Sequence, residues 1–379
     1  MSVKSCRHQV SRKASLRNGR PVSDVAQNLP AKPATIVPRL LLWFTKNARP
    51  LPWRRTNDPY AIWVSEIMLQ QTQVTAVIPF YQGWMPTLPT IRAVANASSQ
   101  CIHKLWEGLG YYTRVRNLQK AAQLILVKHR GKFPENFEEV LALPGIGRYT
   151  AGAICSIAYG QPTPILDGNV MRVLTRVFGI SGNPREPRVN GKLWKLAEEL
   201  VRAADDCSAL NQSLMELGAL ICTPKQPRCG LCPVKDHCFA YRQDRVHRFP
   251  NTIARPRPTP RRFIAFVAQK KGQFFVRQRP AGIVNALLWE FPNIEVTQSA
   301  FDVKAASRSI FGRAMQTFQP LCTIRHTITR YKITMNVFRI TEKRRHNFSA
   351  VKGRWLNEQQ LRLLAFPSAH RKVLQWLKP

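Results

Sequence analysis

The chain has 379 residues, 44% of them hydrophobic, and carries 58 basic against 21 acidic side chains for a formal net charge of +37. At about 150 residues per domain this length allows two or three domains with cores of their own, and the apolar content excludes a wholly disordered chain. So large a positive surplus points to a polyanionic partner, nucleic acid first, although a merely soluble basic surface has the same composition. No run approaches the roughly 20 apolar residues of a bilayer span: Val64–Leu69 is already broken by Ser65 and Glu66.

Residues 1–35 are basic and polar, with Asp24 as their one acid. They lack the apolar centre of a secretory signal, and they read as a disordered tail, an overlong gene start or a targeting segment. Residues 36–246 have a helical pattern. Asp58-Pro59 is a cap followed by proline at the first helical position. Val74, Val77, Ile78 and Tyr81 repeat along one helix face. Further helices are expected over Leu118–Val127, Phe137–Leu143, Thr150–Ala158, Val170–Phe178, Gly191–Ala203 and Leu210–Leu220. Residues 247–262 hold four prolines among several arginines and read as a semi-extended linker. From 263 to 379 the pattern changes to strands: Phe263–Ala268 and Phe274–Val276 around a Lys270-Lys271-Gly272 turn, then Leu321–Thr327 and Tyr331–Ile340. Helices near Val303–Phe311 and Ser368–Leu377 complete an α+β module.

Three patterns carry chemistry. The first is a pair of isolated acids. Glu66 is the only acidic residue between Pro59 and Trp106, and Asp167 the only one between Val140 and Arg185, each inside an apolar run. Burial would raise such a pKa and make a usable proton donor, while nearby cations would lower it. A helix cap or a buried ion pair is the plain alternative, and Asp167 stands where it would cap a helix at Val170. The functional alternative is a division of labour: Glu66 starts protonated as a general acid, and Asp167 stays ionised to stabilise positive charge at an anomeric carbon.

The second pattern is Leu143-Pro-Gly-Ile-Gly-Arg-Tyr-Thr-Ala, a glycine-rich turn between two helices. Gly145 and Gly147 let the chain bend and approach another backbone, and the helix opening at Arg148 offers free N–H groups to a phosphate. An ordinary helix–turn–helix connection has the same outline.

The third is Cys222-x6-Cys229-x2-Cys232-x5-Cys238, four of the nine cysteines within 17 residues. An odd total without a secretory signal argues against a disulfide framework and for a reducing, cytoplasmic setting. A single close pair within one loop suits an iron–sulfur cubane better than zinc, which favours two close pairs. Lys225, Arg228 and Lys235 decorate this loop and suit it to DNA docking.

In their order, Leu51-Pro-Trp-Arg54, Trp63–Val74, Gly108-Leu-Gly-Tyr-Tyr112, Leu143–Gly147, Ile165–Val170, Glu216–Thr223 and the cysteine loop resemble the MutY family of adenine DNA glycosylases, within the endonuclease III superfamily. The resemblance implies an all-α helix–hairpin–helix glycosylase domain with a [4Fe-4S] cluster on Cys222, Cys229, Cys232 and Cys238, joined to a Nudix-like α+β domain. It implies a monomeric enzyme, associated with the bacterial nucleoid, that flips adenine out of double-stranded DNA when adenine is mispaired with 8-oxoguanine or guanine. Glu66 matches the acid that protonates adenine N7, and Asp167 the carboxylate that stabilises the oxocarbenium ion. Tyr149 and Asn169 match positions near the sugar, and Arg54 and Gln212 positions around the base. Gln70, Gln71 and Thr72, with Leu109 and Tyr111, match residues that probe or wedge into the gap. Endonuclease III has an attacking lysine where this chain has Tyr149, so a monofunctional enzyme is implied.

In the C-terminal module Arg279-Pro-Ala-Gly282 and Leu288-Trp-Glu-Phe-Pro292 carry the resemblance, while Ala305–Met315 contains no acid to hold Mg²⁺. The family's Phe-Ser-His loop for 8-oxoguanine corresponds here to Ile328-Thr329-Arg330: the hydroxyl is kept, the aromatic ring and the imidazole are replaced. His326, just before it, reads as a satisfied structural histidine.

Overall fold

The computed structural model describes residues 31–251, 257–297, 302–315, 317–328, 330–341 and 351–377. The greater part of the basic tail, the middle of the proline-rich stretch and Thr329 lie outside the described residues.

The first module is helical: α1 (Pro33–Asn47), α2 (Pro59–Leu69), α3 (Val74–Thr87), α4 (Ile91–Asn96), α5 (Ser99–Leu105), α6 (Thr113–Lys128), α7 (Phe137–Leu141), α8 (Arg148–Tyr159), α9 (Gly168–Phe178), α10 (Pro187–Arg202), α11 (Cys207–Leu220) and the short α12 (Phe239–Arg242). Side-chain caps set many of the starts. Asp58 accepts from the Tyr60 N–H, Thr90 from Ala93, Ser98 from Cys101, Asn136 from Glu138 and Glu139, and Asp206 from Ala209. Helix α1 begins at Pro33, inside the stretch read as tail, and runs on through Pro38. Ile36, Val37 and Leu40 form a buried stripe, and burying it draws the preceding turn into the helix.

These helices make two cores. One gathers α2 to α8 around Trp63, Trp84 and Trp106, all three fully buried. The other gathers α1, α9, α10 and α11 around Leu174, Leu193, Leu210 and Leu217. The groove between the two cores is where the isolated acids meet.

The second module is a seven-stranded mixed sheet: β1 (Thr259–Lys270), β2 (Gln273–Gln278), β3 (Trp289–Glu290), β4 (Asn293–Val296), β5 (Gln319–Ile328), β6 (Tyr331–Thr341) and β7 (Arg354–Leu356), in the order β3-β2-β1-β6-β5 with β4 on β1 and β7 on β2. Strand β1 runs parallel to β6 and is apolar on both faces. Ile264, Phe266 and Ala268 pack with α13 (Val303–Phe311); Ala265 and Val267 pack with α14 (Glu358–Arg362) and α15 (Ser368–Val373). A continuous apolar run is what burial on both faces demands. β1 starts at Thr259, inside the stretch read as linker. Pro260 is tolerated there because β4 pairing begins only at Arg262, leaving that part of the strand with one neighbour.

The modules share side chains. Leu288 and Ala365 of the second are buried within the core of the first. Glu107, between α5 and α6, accepts from the Phe366 N–H at 2.8 Å and from Lys104 at 2.6 Å, while Arg371 reaches its carbonyl at 3.3 Å. Among the described residues, no helix is long and apolar enough to cross a membrane.

Candidate active site

A cleft of about 520 Å³ opens between the two helical cores, within the size range of small-ligand sites. Its walls include Arg54, Glu66, Gln70, Gln71, Thr72, Tyr149, Asp167, Asn169 and Gln212. Residues from four separate sequence motifs thus meet in one place.

Glu66 projects from α2 and is 4% exposed. The Tyr149 hydroxyl donates to its Oε2 at 2.8 Å and also lies 3.2 Å from the Met215 sulfur. Burial raises the Glu66 pKa to about 7; the Tyr149 hydrogen bond opposes the rise, Asp167 adds to it and Arg54 opposes it. At neutral pH a large share of this side chain is therefore protonated.

Asp167 caps α9. Its Oδ1 accepts from the Val170 N–H at 2.7 Å and its Oδ2 from the Asn169 amide at 2.9 Å. Burial lifts its pKa as well, against the pull of those donors and of Arg172. The two acids differ in their support: Glu66 is bonded by one hydroxyl, whereas Asp167 is bonded by a backbone N–H and an amide, and each has a guanidinium nearby, Arg54 and Arg172. The donors around Asp167 are arranged for an anion, and a developing cation in the cleft would favour that anion further.

Sequence reasoning missed the far wall. Glu216, on α11 and 1% exposed, receives Arg49 Nε at 2.7 Å, Arg49 Nη2 at 2.8 Å and Arg54 Nη2 at 3.0 Å. Burial pushes this carboxylate up, but the two arginines outweigh it and hold the pKa at about 2. Arg54 also donates to Gln212 Oε1 at 3.0 Å, which fixes that amide with its oxygen toward the arginine. The signal was available: Glu216 stands alone in Leu214-Met-Glu-Leu217, as Glu66 does in its own run.

The other predicted residues divide. Gln70 ends α2 and reaches Thr150 Oγ1 at 3.3 Å; Gln71 is exposed with φ +56°. Tyr111 is 46% exposed with φ +47°, free to project from the surface. Leu109 is not at the surface. It is 7% exposed and packed into the first core, so its side chain fixes the loop and does not probe. Gly145 has φ +81°, and a Cβ there would lie 2.7 Å from Asn117 Cβ. Gly147 precedes α8, which has no side-chain cap, and a Cβ there would meet nothing within 4 Å. Arg148 lies over the Trp194 ring at 4.0 Å. Arg330, at the β5–β6 turn, is exposed, stacks over Tyr331 and donates to its hydroxyl at 3.0 Å. His326 is partly buried and its Nδ1 has no hydrogen-bond partner among the described residues, unlike the satisfied group expected.

Known proteins resemble each part of this architecture. Residues 64–199 match the HhH-GPD superfamily of base excision DNA repair proteins, 222–238 the iron–sulfur binding domain of endonuclease III, and 264–376 the NUDIX domain. The human adenine DNA glycosylase is 34% identical over 397 residues, spanning 89% of this chain and 72% of that one. The adenine DNA glycosylase of Buchnera aphidicola subsp. Schizaphis graminum is 37% identical, spanning 68% and 74%. The chain belongs to the adenine DNA glycosylase family. As a member of that family it is a DNA glycosylase, acting on N-glycosyl bonds. A thermostable thymine-DNA glycosylase shares the fold of the first module, at 30% identity and TM-score 0.52 over 56% of this chain and 97% of that one.

Family membership brings a [4Fe-4S] cluster, and the cysteine loop suits one. Cys222, Cys229, Cys232 and Cys238 line a single pocket with Val173, Arg176 and Leu217. Arg176 Nη1 lies 3.3 Å from the Cys222 sulfur, a cation beside a group that must ligate as thiolate. Among the described residues no three His, Cys, Asp or Glu side chains converge on one ion position. Four sulfurs around a shared pocket fit a polynuclear group in which each thiolate takes its own iron.

Proposed function

We propose that this protein removes adenine mispaired with 8-oxoguanine or guanine in double-stranded DNA and leaves an abasic site, as a monomer acting on the nucleoid in the cytoplasm. The observation that carries the reading is a buried glutamic acid with a pKa of about 7 sharing a cleft with a second carboxylate held by anion-favouring donors.

On this reading adenine is flipped into the cleft and lies by Arg54 and Gln212. Glu66 delivers its proton to N7, weakening the bond to the sugar, and Tyr149 holds Glu66 in place. Asp167, steadied by Asn169, faces the positive charge that develops on the ring. Tyr149 carries no amine and forms no Schiff base with the sugar, so water completes the abasic site and the strand stays intact. Gln70, Gln71, Thr72 and Tyr111 hold the gap open; Gly145, Gly147 and Arg148 grip the backbone. Thr329 and Arg330 match the family's loop for the opposite base, where a guanidinium in place of an imidazole bears on the choice between 8-oxoguanine and guanine. Cys222, Cys229, Cys232 and Cys238 hold the cluster, which when bound makes a rigid, cationic docking loop. We further read the chain as a basic tail, a helical domain and a Nudix-like domain joined by a proline-rich linker, with the domain starts moved from 36 and 263 to Pro33 and Thr259, where α1 and β1 begin.

The deciding experiment is single-turnover turnover of duplexes with adenine opposite 8-oxoguanine, guanine or thymine, with a thymine–guanine duplex as control. Strand breakage only after alkali, on the first two duplexes, is expected. Breakage without alkali would make the enzyme a lyase, and cleavage at thymine would assign it the other base.

A further inference from the structure

Arg114, in the first turn of α6, makes more hydrogen bonds than any role at the protein surface requires. Its Nη1 donates to the carbonyls of Ile67, Met68 and Gln70 at 2.8, 2.9 and 2.7 Å. These are orphan acceptors at the C-terminal end of α2, the negative pole of the helix that carries Glu66. Its Nη2 donates to Thr72 Oγ1 at 3.3 Å and to the carbonyls of Leu109 and Gly110, each at 3.2 Å. The guanidinium also lies 5.3 Å from the Trp106 ring and 5.7 Å from the Tyr111 ring. One planar fork therefore closes two loops upon each other. Both loops have left-handed backbone, at Gln71 (φ +56°) on one side and Gly110 (+74°) and Tyr111 (+47°) on the other. Such conformations persist only where the surroundings over-determine them.

We propose that Arg114 is a positioning residue that locks the Tyr111 loop to the Gln70–Thr72 turn, so that the wedge and the acid on Glu66 act on the same nucleotide. This rests on the reading of Tyr111 as the wedge. Lysine cannot replace it, because a single ammonium has no fork to span two loops.

The test is a double-mutant cycle in the full-length, cluster-loaded protein, reading the single-turnover rate of adenine release. Arg114→Lys is expected to slow release about tenfold, the scale of a misplaced reacting group. Melting temperature is expected to fall by a few degrees, because most of the five carbonyls lose their donor, while cluster absorbance stays at its wild-type value. In a Tyr111→Ala background the same change should have almost no further effect, because the residue it positions is gone. A Tyr111→Ala protein with wild-type activity would remove the wedge and the proposal with it. A slow Tyr111→Ala protein on which Arg114→Lys acts in full would overturn the positioning role alone. Hydrogen exchange on the unaltered protein gives a second test that needs no variant. Segments 69–73 and 108–112 should open as one unit, with protection equal within about threefold, and unrelated opening would overturn the lock.

Discussion

The cleft of the helical module and the interior of the sheet module each bury a glutamate, at 4% exposure for Glu66 and 2% for Glu290. Glu290 takes Arg277 at 2.8 Å and is bonded to Arg279, with His370 at 3.9 Å. Burial alone would lift its pKa; His370, Arg279 and Arg277 over-compensate and hold it below the ordinary range. Burial lowers the His370 pKa to about 4, so at neutral pH the arginines carry that compensation. Glu66 is bonded by a hydroxyl and faces a second acid instead, and the guanidinium near it, Arg54, does not offset its burial. The difference teaches how to tell a structural acid from a reactive one: burial is common to both, and the neighbours decide which proton can be given away.

That contrast can be broken in order of expected effect. Glu66→Gln keeps the shape and removes the proton, so base release should fall by about 10³-fold in single turnover while duplex affinity holds. Near wild-type release would end the acid assignment. Asp167→Asn removes the anion beneath the sugar and should cost about 10²-fold in the same assay, with the helix cap weakened and not lost. Glu290→Ala should act on stability instead: about 1–3 kcal/mol of unfolding free energy lost in denaturant titration, because Arg277 and Arg279 lose their carboxylate and keep only the carbonyls of Asn293 and Val284, and little change in the rate of molecules that remain folded.

Smaller effects sharpen the same line. Gly145→Ala forces a side chain into left-handed backbone and against Asn117, and should lower stability by about 1–2 kcal/mol. Gly147→Ala meets no protein atom at φ −105°, so its melting temperature should hold while DNA affinity drops. Equal behaviour of the two glycines would mean that the hairpin does not meet the backbone at Gly147. The mildest test is pH. On the proposed mechanism the protonated form of Glu66 and the ionised form of Asp167 act together, so the rate should fall above about pH 7 and fall again in acid as Asp167 takes up its proton. Tyr149→Phe removes the hydrogen bond that favours the carboxylate, and the falling limb should move to higher pH.

Much of this was legible because the sequence marks it locally. Asp58-Pro59 names a helix start, the glycines of the hairpin name a turn, and an acid alone in an apolar run names a buried charge. Val303–Phe311 is a helix with the bounds its periodicity gives. What was not legible depends on distant partners. Glu216 meets Arg49 and Arg54 from more than 160 residues away, and nothing near it in the chain says so. Strands β3, β4 and β7 have two, four and three residues, too few to show alternation; they exist because β1 and β2 supply an edge. Leu109 and Tyr111 sit two residues apart in one apolar motif, and only the turn through Gly110 decides that one goes inward and the other out. Arg114 looked like one more positive charge among 58.

Leu288 is fully buried and Ala365 is 3% exposed, and both complete a core built by the other half of the chain. Severing the protein at its proline-rich stretch would therefore leave a greasy socket on the catalytic fragment and a matching plug on the severed piece. The amputated fragment would have to bear that wet scar, and a loss of activity after such surgery would report damaged footing as much as a missing reader of the opposite base.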